Sequence, residues 1–148
     1  MEGFAVTEQQ FVLVVDRTKS VEEVIAAGNY NYANPDINSG RCPSIRAETI
    51  GDATLFHLDE ELTTDEYLAR LDEMGYRAAD VFELLVFGAQ YPDEQLKYPI
   101  LALGQDVRDS GGLVCVACLD YWGGKRELDL LLRAFRWSRL CRVLAFRK

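Results

Sequence analysis

Three times along this chain a capping residue is followed, three positions later, by glutamate: Ser20-Val-Glu-Glu23, Thr63-Thr-Asp-Glu66 and Asp80-Val-Phe-Glu83. In such a box the first side chain accepts from the backbone N–H of the fourth residue, and the glutamate reaches back to the cap's own N–H. Each box therefore marks a helix start. Gly28 and Gly75 suit the residue just past a helix end. Between them Tyr67, Leu68, Leu71 and Met74 fall on one side of the second helix, and Val81, Leu84, Leu85 and Gly88 follow the third box at helical spacing.

The remaining segments are written at a different period. Gln9-Gln-Phe-Val-Leu-Val-Val-Asp16 is a β-branched run too short for a helix, closed by the polar turn Asp16-Arg-Thr-Lys19, and reads as a buried strand. Residues 47–58 carry Ile50, Ala53, Leu55, Phe56 and Leu58, a second strand with a turn or bulge near Gly51-Asp52. Pro99-Ile-Leu-Ala-Leu-Gly104 and Leu113-Val-Cys-Val-Ala-Cys-Leu-Asp-Tyr121 are two strands of a meander, separated by a turn-rich stretch. Trp122-Gly-Gly-Lys125 suits a tight hairpin into residues 126–132, and Leu140-Cys-Arg-Val-Leu-Ala-Phe-Arg147 closes the chain as a strand. The expectation is a single α+β domain spanning residues 1–148: an antiparallel sheet from an early strand and a C-terminal β-meander, with two or three helices packed on one side. The link Gly75-Tyr-Arg-Ala-Ala79 is expected to join two helices in a hairpin or corner.

One stretch fits two templates. Leu128, Leu131, Leu132 and Phe135 obey the helical i, i+3, i+4, i+7 rule, which makes residues 126–139 either a strand hairpin or a basic amphipathic helix. The strand is preferred, because Gly123-Gly124 makes a good turn and the preceding strand needs a partner. The choice governs function. Residues 125–148 hold eight Lys/Arg against Glu127 and Asp129, a net +6 in a chain whose total is −8, so the other 124 residues carry −14. Arg133, Arg136, Arg139 and Arg142 are spaced by three, with Phe135 and Trp137 interleaved. On a helix they would form a track able to bind a polyanion or a protein. On a strand that spacing throws successive arginines onto alternate faces, and internal pairing with the chain's own acids, or self-association into a homo-oligomer, becomes the better reading. Nucleic acid is disfavoured as a partner.

Residues 29–40, Asn-Tyr-Asn-Tyr-Ala-Asn-Pro-Asp-Ile-Asn-Ser-Gly, form a long aperiodic loop. Asn29, Tyr30, Asn31, Tyr32 and Asp36 offer the adaptable polar and aromatic surface used in recognition. The alternative is a connector whose asparagines satisfy its own turns. With the loop, Arg133, Arg136, Trp137 and Arg139 complete the set of candidate binding residues.

Motifs for chemistry are sparse. His57 is the single histidine, which removes every scheme needing two imidazoles; an enzyme of unrecognised type would have to use His57 with Asp59 or Asp36 as base and orienter. Cys115-Val-Ala-Cys118 has redox or zinc spacing, but within a strand residues three apart point to opposite faces. Cys42, Cys115, Cys118 and Cys141 are expected as free, mostly buried thiols. The acids Asp59, Glu60, Glu61, Asp65 and Glu66 suit a helix N-terminus rather than a metal site. No glycine-rich phosphate loop is present, and no cofactor or metal is expected. The N-terminal stretch has no basic segment followed by an apolar run, so a soluble, cytoplasmic protein away from membranes is expected.

The stretch from Gly75 through Gln95, with Pro99-Ile-Leu-Ala-Leu-Gly104 and the ending Arg142-Val-Leu-Ala-Phe-Arg-Lys148, resembles a group of small bacterial and phage-associated proteins without assigned function. Those proteins end in a Trp/Asp/Asn-rich stretch before the final strand, where this chain has Leu131-Leu-Arg-Ala-Phe-Arg-Trp-Ser-Arg139. The order of elements also resembles, in topology alone, a C-type-lectin-like fold, whose loops before the last strand bind ligands. The resemblance implies a phage or mobile-element origin, and the lack of catalytic motifs leads to the expectation of a non-enzymatic binding or regulatory protein that recognises a protein partner through residues 29–40 or the basic C-terminal hairpin.

Overall fold

The computed structural model describes residues 6–45 and 50–148, and of Ile50 the backbone alone. All three capping boxes form with both of their reciprocal hydrogen bonds, opening α1 (Val21–Gly28), α2 (Thr64–Glu73) and α3 (Val81–Gln90). Ten strands accompany them among the described residues: β1 (Thr7–Val14), β2 (Tyr32–Ala33), β3 (Ile50–His57), β4 (Leu62–Thr63), β5 (Tyr76–Ala78), β6 (Ile100–Arg108), β7 (Val114–Trp122), β8 (Lys125–Leu132), β9 (Arg136–Trp137) and β10 (Arg142–Arg147). The protein is a single α+β domain with a mainly antiparallel sheet. Residues 47–49 of the expected second strand lie outside the described residues.

The main sheet runs β1-β3-β10-β6-β7-β8-β2, with β5 added to β10, while β4 and β9 make a separate ribbon. The early strand β1 pairs with β3, and the expected meander is β6-β7-β8, each neighbour antiparallel. The closing strand β10 lies at the centre, antiparallel to β3 and parallel to β6. Its run Val143, Leu144 and Ala145 is fully buried, as expected of a strand covered on both faces.

Two cores flank this sheet. On one face α1 and α3 bring Val24, Leu84, Leu85 and Phe87 onto Leu13, Leu55, Ala117, Leu119 and Leu144. On the other, α2 and the β4-β9 ribbon bring Tyr67, Leu71, Leu62 and Trp137 onto Phe56, Leu101, Val116, Cys118 and Val143. Two helices therefore pack on one side, and the third covers the opposite face. The expected helical corner at residues 75–79 is corrected here. Tyr76–Ala78 instead extends as β5 along β10, and carries the chain from one face to the other. Tyr76 and Ala78 join the α2 core, whereas the alternate residue Arg77 reaches the α3 side, its guanidinium 4.8 Å from the centre of the Phe146 ring. Beside β5, Gly104 approaches so closely that an added Cβ would stand 2.3 Å from the Ala78 carbonyl oxygen, so no larger residue fits there.

The edge strand β1 is guarded. The Gln90 side-chain amide bonds both the N–H and the C=O of Val14, and the Tyr91 hydroxyl donates to the Val12 carbonyl. No described helix is long and apolar enough to cross a membrane.

Candidate functional site

The structure joins the two regions singled out for binding. Tyr32 and Ala33 of the loop form β2, which lies parallel to β8 with Tyr32 beside Glu127. What fastens them is Arg126. Its guanidinium stacks over the Tyr30 ring at 4.7 Å and donates to the carbonyls of Gly28, Asn29, Gly88 and Pro92 and to Gln95 Oε1. Asn31 completes the joint: its backbone N–H donates to the Arg126 carbonyl, and its Oδ1 accepts from the Arg126 N–H. Gln95, itself buried, donates to the carbonyls of Asp120 and Glu127 and so ties the hairpin to the turn after α3.

Most of the loop is therefore structural. Tyr30 is wedged between Gly28 and Gly88, where its ring leaves no room for a Cβ on either, and burial pushes its hydroxyl up to about 12. Asn34 Oδ1 accepts from the Asp36 N–H, Asn38 Oδ1 from the Arg41 N–H, and Ser39 donates to Glu22. Asp36 accepts from the Ser110 N–H, and that bond, helped by Arg41, holds its carboxyl below the ordinary carboxylate value. Asn29 takes a left-handed conformation as the cap of α1 and is exposed. Tyr32 is 45% exposed.

Residues 126–139 are strand, turn and strand rather than helix, and the arginines divide as a sheet requires. Arg133 bonds Asp65 and Asp106, Arg139 bonds Asp59, Arg136 donates to the Glu61 carbonyl, and Arg142 lies 4.0 Å over the Tyr98 ring. Trp137 is buried, and its ring N–H donates to Thr64 Oγ1. These residues pin the end of the chain over α2 and β4.

His57 has a comparable role. Its Nε2 lies 2.6 Å from the Arg139 carbonyl and 3.9 Å from Asp59 Oδ1, so histidine and carboxylate do meet, but they do so around the strap formed by residue 139. Asp36 sits elsewhere, against Ser110. The four cysteines are buried with no disulfide among them, and burial raises the thiol of each. Cys115 and Cys118 point to opposite faces of β7, and no group of three metal-ligating side chains occurs among the described residues.

Two features were not anticipated. At the N-terminus of α3, Asp80 and Glu83 are almost fully buried as the two halves of the capping box, and Arg17 and Arg77 neutralise them: Arg77 grips Glu83 with both guanidinium nitrogens. Burial, then Glu83, raise the Asp80 carboxyl above its ordinary value against the pull of the cap N–H and the two arginines. This knot borders a cleft of about 480 Å³ lined by Arg77, Glu83, Thr54, Tyr76 and Arg147. In that cleft Arg77 and Glu83 are paired with each other, Arg147 donates to the Tyr76 hydroxyl, and Asp52 also lines the wall.

The second feature is the outer end of the β7-β8 hairpin. Gly123 and Gly124 take positive φ at its tip, and beside them Trp122 is 72% exposed and Tyr121 41%. Trp122 and Asp120 share a face of β7; across from Asp120 stands Glu127, and beyond it Tyr32. Neither carboxylate has an ion-pair partner among the described residues. The hairpin was legible in the sequence, and a residue next to a two-glycine tip is outside any core, which is the signal that marks Trp122. Comparison of the chain with protein-family models, with curated proteins and with solved structures gives no match.

Proposed function

We propose that this chain is a small, non-enzymatic binding protein that recognises a protein partner through the end of the sheet formed by β2, β8 and the tip of β7. The observation that carries this reading is the exposure of Trp122 and Tyr121 on the β7-β8 hairpin and of Tyr32 on the neighbouring β2, a frame fastened by Arg126 and Gln95. Aromatic side chains presented on a fixed frame bury a large area at small entropic cost, which is why they dominate binding hot spots. By contrast, the arginines and the loop polar groups first considered for binding are engaged within the molecule. The thiols suit a reducing, cytoplasmic setting, and the likeness to phage-associated proteins suggests a mobile-element process.

An enzyme built on His57 has one observation behind it, the approach of Asp59, and one against it: the ring nitrogen facing Asp59 is already bound to a backbone carbonyl. Self-association through charge complementarity would need basic groups that here already hold Asp59, Asp65 and Asp106.

The test is site-specific photo-crosslinking in the native cell, with a benzophenone amino acid at position 122 and, as control, at the exposed α2 position 73. A discrete adduct with another protein from position 122 alone is expected. Equal adducts from both positions, or none from 122, would overturn the reading.

A further inference from the structure

The aromatic end of the sheet has a charge pattern that names its occupant. Asp120 and Glu127 are directly opposite one another on β7 and β8, an arrangement of like charges that weakens a sheet. Several other carboxylates of this protein are held by arginine: Glu60 by Arg70, Asp59 by Arg139, Asp65 and Asp106 by Arg133. Here no ion pair does so among the described residues, and the one cation on this face of the hairpin, Lys125, stands opposite Trp122 rather than between the two acids. Tyr32 flanks the pair on one side, one strand away from Glu127. Trp122 flanks it on the other, two residues along β7 from Asp120 and on the same face.

Resting on the protein-binding reading above, we infer that this face holds an extended segment of the partner with arginine or lysine at alternate positions, each cation placed between an aromatic ring and a carboxylate. Side chains on one face of an extended peptide repeat every ~6.6 Å, which is also the spacing of Trp122 from Asp120 along their strand. Neighbouring strands are ~4.8 Å apart, so Tyr32, Glu127 and Asp120 form a row about 10 Å long across the sheet. A cation set over either ring is attracted by its π face and by the adjacent carboxylate together. Phosphate-bearing ligands are repelled by the same carboxylates. A second copy of this chain is a poor occupant, because its described arginines are already bound to acids, carbonyls and rings.

The experiment uses the intact protein and a synthetic eight-residue peptide of alternating arginine and threonine, with a glutamate-for-arginine peptide as control. The chain has two tryptophans, and only Trp122 is accessible, since Trp137 is 3% exposed; acrylamide quenching therefore reads Trp122. The arginine peptide is expected to shield Trp122, and the Asp120→Asn/Glu127→Gln double variant to bind it at least about tenfold more weakly. A Glu8→Gln/Glu73→Gln variant, with the same net charge but changed away from this face, is expected to bind as the wild type does. Equal weakening in both variants would reduce the effect to net charge and overturn the inference, as would failure of the peptide to shield Trp122. If the crosslink at position 122 still captures a protein in that case, the docking surface stands and only its cationic occupant is wrong. A captured species that is a second copy of this chain likewise overturns the inference.

Discussion

Two charge clusters in this molecule follow opposite rules. At the start of α3, Asp80 and Glu83 are buried at 1% and 2% exposure, and every charge there has a counter-charge: Arg17 and Arg77 against the two carboxylates. At the far end of the sheet the half-buried Asp120 and Glu127 face each other with no ion pair among the described residues, beside Lys125 on the same face, where water screens them. Burial forces a cluster to balance, since a lone charge in the interior costs several kcal/mol. Exposure removes that demand. Imbalance at the surface is therefore free to serve binding, whereas balance in the interior is a requirement of folding.

The buried cluster depends most on Arg77. Arg77→Ala leaves Glu83 buried with half of its neutralising shell, and removes the guanidinium from the Phe146 ring. The expected loss is about 3–5 kcal/mol, the range for removing one partner of a buried ion pair. Urea unfolding of wild type and variant measures it. A loss below about 1 kcal/mol, the range of surface pairs, would show that the knot is solvated and that the contrast between the two clusters is false.

Asp80 sharpens the same contrast with a pair of variants. As the helix cap it accepts from the Glu83 N–H, and Asp80→Ala, which loses that bond, is expected to cost about 1–2 kcal/mol. Asp80→Asn keeps a cap of equal rank and discards a charge, so its stability at neutral pH is expected within about 0.5 kcal/mol of wild type or above it. The pH dependence follows from the direction of the shift. A carboxyl raised above its ordinary value of 3.8 binds more protons folded than unfolded, so its contribution to stability declines as pH rises through the folded value. The standing of Asp80→Asn relative to wild type should therefore be best near neutral pH, decline on acidification through the raised folded value toward 3.8, and level off below it. The opposite trend would mean that Arg17 and Arg77 outweigh burial at this site.

How much of this could be read from the residues depends on the reach of the interaction. The three helix starts were legible because a capping box closes within four residues, and Ser20, Thr63 and Asp80 each behave as read. The strands β1, β3, β6, β7, β8 and β10 were legible from their β-branched and apolar runs. The short strands were not. β5 owes its existence to β10, with Ala78 opposite Ala145; β4 pairs with β9 through Leu62 and Trp137; β2 meets β8 at Glu127. Two or three residues carry no period, and partners this distant in the chain leave no local signal. The same limit hid the site. The spacing of Arg133, Arg136 and Arg139 was visible, but their partners in the turn between β3 and β4, on α2 and on β6 were not. Arg126 read as one more basic residue, although it holds the loop to the hairpin.

The smallest effect expected lies at the exposed cluster, and its sign is what matters. Asp120→Asn removes one of two carboxylates that face each other across β7 and β8 while keeping the size of the side chain. Like charges directly opposite are destabilising, so the variant should be more stable than wild type by about 0.3 kcal/mol, within the range of such cross-strand terms. The gain should shrink in high salt, where exposed charges are screened over shorter distances. Thermal unfolding at low and high salt reads both. A loss of stability would mean that Asp120 holds its own strand end through the bond it accepts from the Tyr121 N–H, and that its charge belongs to folding. A gain means that folding alone would do better without this carboxylate, and the reason for its presence then has to be sought in what the face binds.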